Sequence, residues 1–540
     1  MTNQPSGESA PPAAPAAASS RPILPIAIVA AETIALAGLQ YAQDAEWLSP
    51  ANAFLAKFST AGAALIALVL WFVFFAPLAR TTRRRVGVAA LLLVGLALLA
   101  LRVESVTGDI FPRLRFRWAP HADETLGKVA TETGGAPVDL ASTSSTDYPQ
   151  YLGANRLATL SGVNLARNWS EHAPTQLWRH PIGAGWSSFA VVGPFAVTQE
   201  QRGDEELITC YEVDTGKARW VHSTPVRFQE TLAGIGPRAT PTIHQGKVYV
   251  MGALGHLTCL DGATGKQLWQ HDVLTEFDAA ERTPKWGKSC SPLVYEDLVI
   301  VSAGGDKGKS LVAFDAATGA LRWTGGDDYS SYSSPVAMTL CGVPQIVIVN
   351  ARCVAAHDPA TGAVLWVRSW PERALEAGNV EPTVAQPVAV GDDRILLTKG
   401  YGTGSALWQV KHDSDQWTVD ELWRGTAMKT KFTNPVIRDG HAYGLDEGIL
   451  ECIDLASGRK TWKRGKYGHG QVLLVDDLLL VQSEAGELAL VEANPKEFKE
   501  LARFQAIAGT AWNPPALSGR KLLLRSEQEA ACYELPAASP

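Results

Sequence analysis

One pattern recurs five times along this chain and leaves few folds open. "EVDTGKARW" ends at Trp220, "DGATGKQLW" at Trp269, "DAATGALRW" at Trp323, "DPATGAVLW" at Trp366 and "DLASGRKTW" at Trp462. Each copy keeps an acidic residue, then Thr or Ser followed by Gly, then tryptophan, at the same offsets. A fixed motif at a spacing of roughly 40 to 57 residues marks a repeat array, whose units bury their apolar faces only by stacking on one another.

Each copy reads as a hairpin: an apolar strand such as "HLTCL", a turn carrying the acidic residue and Thr-Gly, and a strand ending in tryptophan. The carboxylate accepts backbone N–H groups within the turn, and glycine takes the positive φ that strains other residues. The motif is therefore turn chemistry. Upstream of each hairpin lies a second pair of strands, as in "TPTIHQGKVYVMG" and "SPLVYEDLVIVSA". Four strands per repeat is the content of a propeller blade. A tryptophan on each outermost strand offers a large flat surface to the neighbouring blade.

Weaker copies complete the count. "DELW" ends at Trp423 after an insertion in the turn, and "ELARF" ends at Phe504 without Thr-Gly. The last segment, Pro514 to Leu535, holds three strands' worth of sequence; the fourth is available in "TQLWRHPI" around Trp178. Aromatics at 178, 220, 269, 323, 366, 423, 462 and 504 predict an all-β, eight-bladed propeller of four-stranded antiparallel blades over 147–540, closed by an N-terminal strand. Closure matters because an open blade exposes strand edges.

Ahead of the propeller, three apolar runs fall at roughly Ile23 to Leu39, Phe58 to Leu78 and Val86 to Val103, each near the ~17 to 25 residues that cross a hydrocarbon layer. Runs in series are unlike a cleaved signal peptide, so 22–103 is expected to be a membrane domain of three helices that engages the lipid bilayer. Trp71, Phe72, Phe74 and Phe75 lie beside Arg80, Arg83, Arg84 and Arg85, which marks that end as cytoplasmic. Lys57, Arg102, Arg113, Arg115 and Arg117 balance Arg21 and the arginine cluster in number, and only the compactness of the cluster decides the orientation. The expectation is a multi-pass protein of the bacterial inner membrane with its propeller on the periplasmic side. Glu32, inside the first run, either serves a function or contacts a neighbouring helix. Residues 1–21, rich in Ala, Pro and Ser, read as disordered. Residues 104–146 read as a juxtamembrane segment, with the basic, aromatic "GDIFPRLRFRW" suited to a bilayer surface, followed by a flexible linker.

A net charge of -7 over 540 residues argues against nucleic acid as a partner. The seven cysteines include no CxxC and no adjacent pair. Cys210, Cys259, Cys452 and Cys532 share one repeat position, where other blades place Ala313 and Ala356, so the slot wants a small apolar side chain and the thiols are expected buried and free. Cys341 and Cys353 fall at opposite ends of one strand, too far apart to bridge. No spacing suggests zinc or covalently attached haem.

The stamp Asp-x-x-Thr-Gly-x-x-x-Trp around an eightfold array resembles the pyrroloquinoline-quinone (PQQ) repeat superfamily, over roughly Asp147 to Leu535. That superfamily, within the wider WD40/YVTN-like propellers, holds quinoprotein alcohol and glucose dehydrogenases and also the BamB-like, non-catalytic propeller subunit of the outer-membrane assembly machinery. The shared residues hold blades together in both branches, so the resemblance speaks to fold before chemistry. Quinoprotein dehydrogenases of the superfamily add a vicinal Cys-Cys disulfide, Glu/Asn/Asp calcium ligands, a catalytic Asp and a Trp on which the quinone stacks. This chain has no Cys-Cys, and none of its residues matches the calcium ligands one by one.

Residues just before each innermost strand are expected to ring one channel mouth. They place Trp186, Arg238, Lys288, Tyr332, Gln386, Lys431, Asn434, His469, Trp512 and Asn513 near one opening. Three cations among aromatics would cradle a planar anion, since Arg and Lys pair with carboxylates and a Trp face stacks on rings. Solvated loop ends are the plainer account of the same residues. Asp327, Asp328 and Glu381 are the nearby carboxylates that would serve as metal ligand or base, and His469 is the imidazole that could serve as a base. "KGYGTGS", 399–405, leads into a strand rather than a helix and reads as a turn, not a phosphate loop. Two functions follow. One is a membrane-anchored binding or scaffold module in the cell envelope, with an envelope protein or a small anion at the mouth. The other is a quinoprotein alcohol or sugar dehydrogenase, requiring PQQ with Ca²⁺ and feeding electrons to membrane quinone.

Overall fold

The computed structural model describes residues 23–44, 50–76, 78–132, 137–372, 374, 382–414 and 416–538. It divides into two units, Met1–Arg102 and Val103–Pro540. The first 21 residues, read above as disordered, lie outside the described set.

The first unit is helical: Ile23–Asp44, Pro50–Phe75 and Arg80–Ala100. Two of the three expected spans, Leu24–Ala42 and Asn52–Phe75, are helices long and apolar enough by themselves to cross a membrane. The third falls short because the helix stops at Ala100 and Leu101–Val106 is a strand. Its apolar part, 86–100, covers roughly 22 Å at 1.5 Å per residue, against a hydrocarbon core of ~30 Å.

The second unit is the ring. Blades one to seven run over 190–224, 242–272, 293–325, 336–369, 388–425, 436–466 and 471–505, each an antiparallel sheet in simple meander order. Blade eight takes three strands from 516–534 and its outermost one from Thr175–Pro181, whose Trp178 lies opposite Cys532. The two chain ends therefore close the ring as the sequence predicts. The turn insertion of blade five extends its outer hairpin to two ten-residue strands, Gly404–Asp413 and Gln416–Gly425.

The repeat motif now has a physical account. Within the turn, Asp261 Oδ1 accepts Thr264 N at 3.0 Å and Thr264 Oγ1 at 2.6 Å. Across the strand pair, the small residue faces the tryptophan: Cys210 opposite Trp220, Cys259 opposite Trp269, Ala313 opposite Trp323, Ala356 opposite Trp366 and Cys452 opposite Trp462. All seven cysteines are free, and all except Cys341 are buried. The indole then reaches into the next blade. Trp178 rests on Gly216, Trp220 on Gly265, Trp269 on Gly319, Trp323 on Gly362 and Trp423 on Gly458, each so closely that a Cβ at the glycine would lie 2.4 to 2.9 Å from the ring. Trp366 and Trp462 are the exceptions because blades five and seven lack the Thr-Gly; the Trp366 indole N–H turns back to Gln345 Oε1 at 2.8 Å, and that of Trp462 donates to Asn494 O at 2.9 Å.

Residues 121–146, read as a linker, are packed where described. Asp123 pairs with Arg227 at 2.6 Å, Thr131 bridges to Ala218, and Leu140 is buried with the cores of blades one and two. Residues 147–160 cross the channel that the innermost strands line. Tyr148 pairs with Val191, Ile243 N donates to Pro149 O at 2.8 Å, Arg156 donates to Ser291 O and Pro292 O at 2.9 and 3.0 Å, and Thr159–Leu160 runs parallel to Leu474–Val475. This segment touches blades one, two, three and seven and forms the floor of the mouth above it.

Candidate functional site

Four of the residues nominated from sequence line one cavity of about 130 Å³: Trp186, Arg238, Tyr332 and Trp512. They share its wall with Tyr151, Leu232, Ala233, Trp286, Ser289, Val384, Phe432 and Pro514. Aromatic contact shapes the wall. Trp186 and Trp512 have ring centroids 4.6 Å apart, Phe432 and Trp512 4.8 Å, and Trp286 stacks on Tyr332 at 5.4 Å. From the floor, Tyr151 presents its hydroxyl to Asn434 Nδ2 at 2.9 Å.

The loop before blade two forms the rim. Gln229–Glu230 pairs with Gly234–Ile235, and Glu230 Oε2 accepts Leu232 N and Ala233 N at 2.8 and 2.9 Å. Trp186 Nε1 donates to Ala233 O at 2.6 Å, fixing this loop over the indole. Arg238 donates to Ala233 O at 2.8 Å, to Gly234 O at 3.3 Å and to Gly236 O, and lies 4.2 Å over the Phe228 ring. Burial pulls its guanidinium down to about 10.

The other cations sit elsewhere. Lys288 is 1% exposed and turns inward, with Nζ donating to Ser302 O, Ala303 O and Ser330 Oγ at 2.9, 2.7 and 3.0 Å. Burial pulls its ammonium down to about 8. Lys431 and His469 lie at the same mouth beside Phe432 but face a second element, the hairpin of Leu101–Val106 and Pro112–Phe116. Lys431 Nζ donates to Gly108 O at 2.5 Å, and His469 Nε2 lies 2.9 Å from Asp109 Oδ1. Glu484, which the sequence did not single out, accepts Gly108 N at 2.6 Å and Trp512 Nε1 at 2.9 Å through the same oxygen.

The remaining nominees stitch the ring. Gln386 donates to the Arg156 carbonyl, and Asn513 Nδ2 to Gly185 O and Ser187 O at 3.0 and 2.7 Å. Asp327 accepts Lys307 N at 2.9 Å, and Asp328 pairs with Arg352 Nε at 2.7 Å; Glu381 lies outside the described residues. Among the described residues no group of three or more His, Cys, Asp or Glu side chains could hold a metal ion. A larger cleft of about 590 Å³ between 145–163 and Gly519–Arg520 has Asp147 in its wall, but that carboxylate is taken by Ser144 and Gly193.

A ring of eight antiparallel blades, sealed by indoles on glycines and opening at an aromatic mouth, defines a β-propeller of tryptophan-docked repeats. The chain belongs to the PQQ-like repeat family: the family model described as "Outer membrane protein assembly factor BamB" matches residues 167–281 and 203–464. Among curated relatives, the outer membrane protein assembly factor BamB of Moranella endobia is 24% identical over 257 residues, covering 47% of this chain and 64% of that protein. Quinohemoprotein alcohol dehydrogenase ADH IIB of Pseudomonas putida is 25% identical over 242 residues, 42% of this chain and 33% of the enzyme. Among solved structures, BamB from Moraxella catarrhalis aligns with a TM-score of 0.47 at 16% identity, over 67% of this chain and all of the other. The chain thus spans just under two thirds of the first of these proteins and a third of the second.

Proposed function

We propose that this chain is a membrane-anchored binding or scaffold module of the cell envelope, its propeller on the extracytoplasmic side. One observation carries the reading: among the described residues, the three cations and the histidine nominated at the mouth each already have a partner inside the chain. Lys288 is bound by carbonyls, Arg238 by its own loop, Lys431 by Gly108 and His469 by Asp109. What remains open is a small aromatic cavity in whose wall Arg238 is the one charged side chain among the described residues.

The residues at the mouth do not fit PQQ with Ca²⁺. Among the described residues the wall holds no carboxylate for a metal, and the Arg238 guanidinium that would meet a carboxylate of the quinone already donates to the carbonyls of Ala233, Gly234 and Gly236. The dehydrogenase reading keeps the support of its 25% identical relative. Titrating the detergent-solubilised full chain with PQQ and Ca²⁺ decides between them: the scaffold reading expects no bound-quinone spectrum and no dye reduction with alcohols or sugars. Either signal would reverse the order of the two.

Anchoring rests on the two apolar spans. A cytoplasmic N-terminus with an extracytoplasmic propeller needs an odd number of crossings, so the third helix must also cross. Its full 21 residues reach roughly 31 Å if Arg80 and Arg83–Arg85 extend their heads to the cytoplasmic interface. Leu114, Phe116 and Trp118 are exposed on the hairpin that follows, with Phe116 stacked on Trp118 at 4.9 Å, as suits an interfacial anchor.

A further inference from the structure

The hairpin tip occupies the mouth as a ligand would. Gly108 offers one peptide unit and Asp109 one carboxylate. Glu484 takes the amide at 2.6 Å, Lys431 takes the carbonyl at 2.5 Å, and His469 faces the carboxylate at 2.9 Å. These receiving side chains are 8%, 5% and 2% exposed. Burying a cation, an anion and an imidazole together costs free energy unless each finds a partner, and the tip supplies all three partners. Glycine is required: a Cβ on Gly108 would lie 2.2 Å from His469 Cδ2.

We propose that Lys431, His469 and Glu484 form a peptide-turn receptor that the chain fills with its own Thr107–Ile110 tip, and that a partner polypeptide displaces the tip by presenting a Gly-acidic turn. The partner class follows from the charges. A cation and an imidazole receive a carbonyl and a carboxylate, while Glu484 receives one N–H; the basic residue the face takes is Arg113, beyond the turn, on Glu527. The tip is held by polar contacts at three residues and by an Arg113–Glu527 ion pair at 3.4 Å, whose side chains are 41% and 25% exposed; partly exposed ion pairs of this kind contribute about 1 kcal/mol. It is thus a tethered competitor rather than part of the ring's core. Glu484 couples the receptor to the aromatic cavity, because the oxygen that holds Gly108 also holds the Trp512 indole.

The inference rests on the mouth being a binding face, and its test is independent of PQQ. Full-length chain in detergent is compared with Gly108→Val, in which the side chain collides with His469, and with Asp109→Ala, which removes the carboxylate without adding bulk. Limited trypsin digestion reports hairpin release through cleavage at Arg113, Arg115 and Arg117. A disulfide-cyclised peptide copying Thr107–Ile110 is titrated against each by fluorescence anisotropy. Both variants are expected to cleave faster at the hairpin and to bind the peptide at least 10-fold more tightly than the wild type, whose own tip competes at a local concentration near millimolar. Lys431→Met or Glu484→Gln on the Gly108→Val background is expected to abolish that binding. A hairpin that stays protected in both variants, a released hairpin with no peptide binding, or equal affinity in all three proteins would each overturn the proposal.

Discussion

The indole of Trp220 lies against Gly265 of the next blade and donates its N–H to Gly262 O at 2.9 Å. One motif copy thus serves two seams: its Thr-Gly receives the tryptophan behind it, and its tryptophan reaches the Thr-Gly ahead. The contact excludes any side chain at Gly265, where a Cβ would lie 2.5 Å from the ring and φ is +71°.

Gly265→Ala is therefore expected to cost about 2 to 4 kcal/mol, combining left-handed backbone strain with overpacking. Gly440 has a similar φ of +76° with nothing within 4 Å, so Gly440→Ala is expected to cost only about 1 kcal/mol. Denaturant melts of the two variants separate seam packing from backbone strain, and equal losses would contradict the seam account.

Ring closure has its own stitch. Arg525, on blade eight, is fully buried and donates to Thr198 Oγ1 and Gln199 O of blade one at 2.7 Å, and to Gly183 O at 3.0 Å. Arg525→Met keeps the volume but leaves these acceptors unpaired at the one seam where chain ends meet. The expected loss is about 3 kcal/mol or more, with a lower melting temperature and faster proteolysis near Thr175–Pro181. An unchanged melt would show that closure depends on strand pairing alone.

Acid titration offers a sharper test. Burial pushes Glu206 up to about 7, against weaker opposing effects of the Ala253 N–H and Arg238. The folded state then holds a proton that the unfolded chain has released above its ordinary value near 4.5, so this group's contribution is full at low pH and is lost as pH rises toward and through 7. Other groups titrate in the same range, including His357, pulled down by burial. The prediction is accordingly a difference: wild-type stability relative to Glu206→Gln falls by up to about 3 kcal/mol between pH 5 and pH 8. A pH-independent difference would place Glu206 in a solvated environment.

The blades were legible because their packing is periodic, and a period survives in sequence however far apart its members fold. Closure through Trp178 was legible for the same reason: a missing strand leaves a remainder. The mouth was only partly so. Trp186, Arg238, Tyr332 and Trp512 could be placed by repeat position, but whether a cation at that position faces the opening depends on its rotamer and neighbours, and Lys288 turns inward to carbonyls of its own blade. Tyr151, Gly108 and Glu484 escaped notice because two of them lie outside the repeat and the third follows a strand that otherwise repeats normally. Trp286 and Phe432 could have been found, since each lies within two residues of a nominated lysine. The third span was the least legible of the three because hydropathy continues past Ala100, where the helix ends, into residues that pair as a strand.

Sidedness can be read with the chain's own thiols. Cys341 is the half-buried one of seven free cysteines, and the others are buried. Burial pushes Cys210 and Cys353 well above the ordinary thiol range, which suppresses their thiolates further, whereas Cys341 is raised by a milder desolvation together with Asp393. A charged, membrane-impermeant maleimide at pH 8 is therefore expected to modify about one thiol per folded chain, and the Cys341→Ser variant almost none. Applied to intact spheroplasts, the reagent should label the wild type to the same extent as in detergent if the propeller is extracytoplasmic, because the ring carries Cys341 on whichever side the last crossing delivers it. Labelling that appears only after lysis would place the propeller inside, reduce the crossings to the two long apolar helices, and withdraw the envelope role with them.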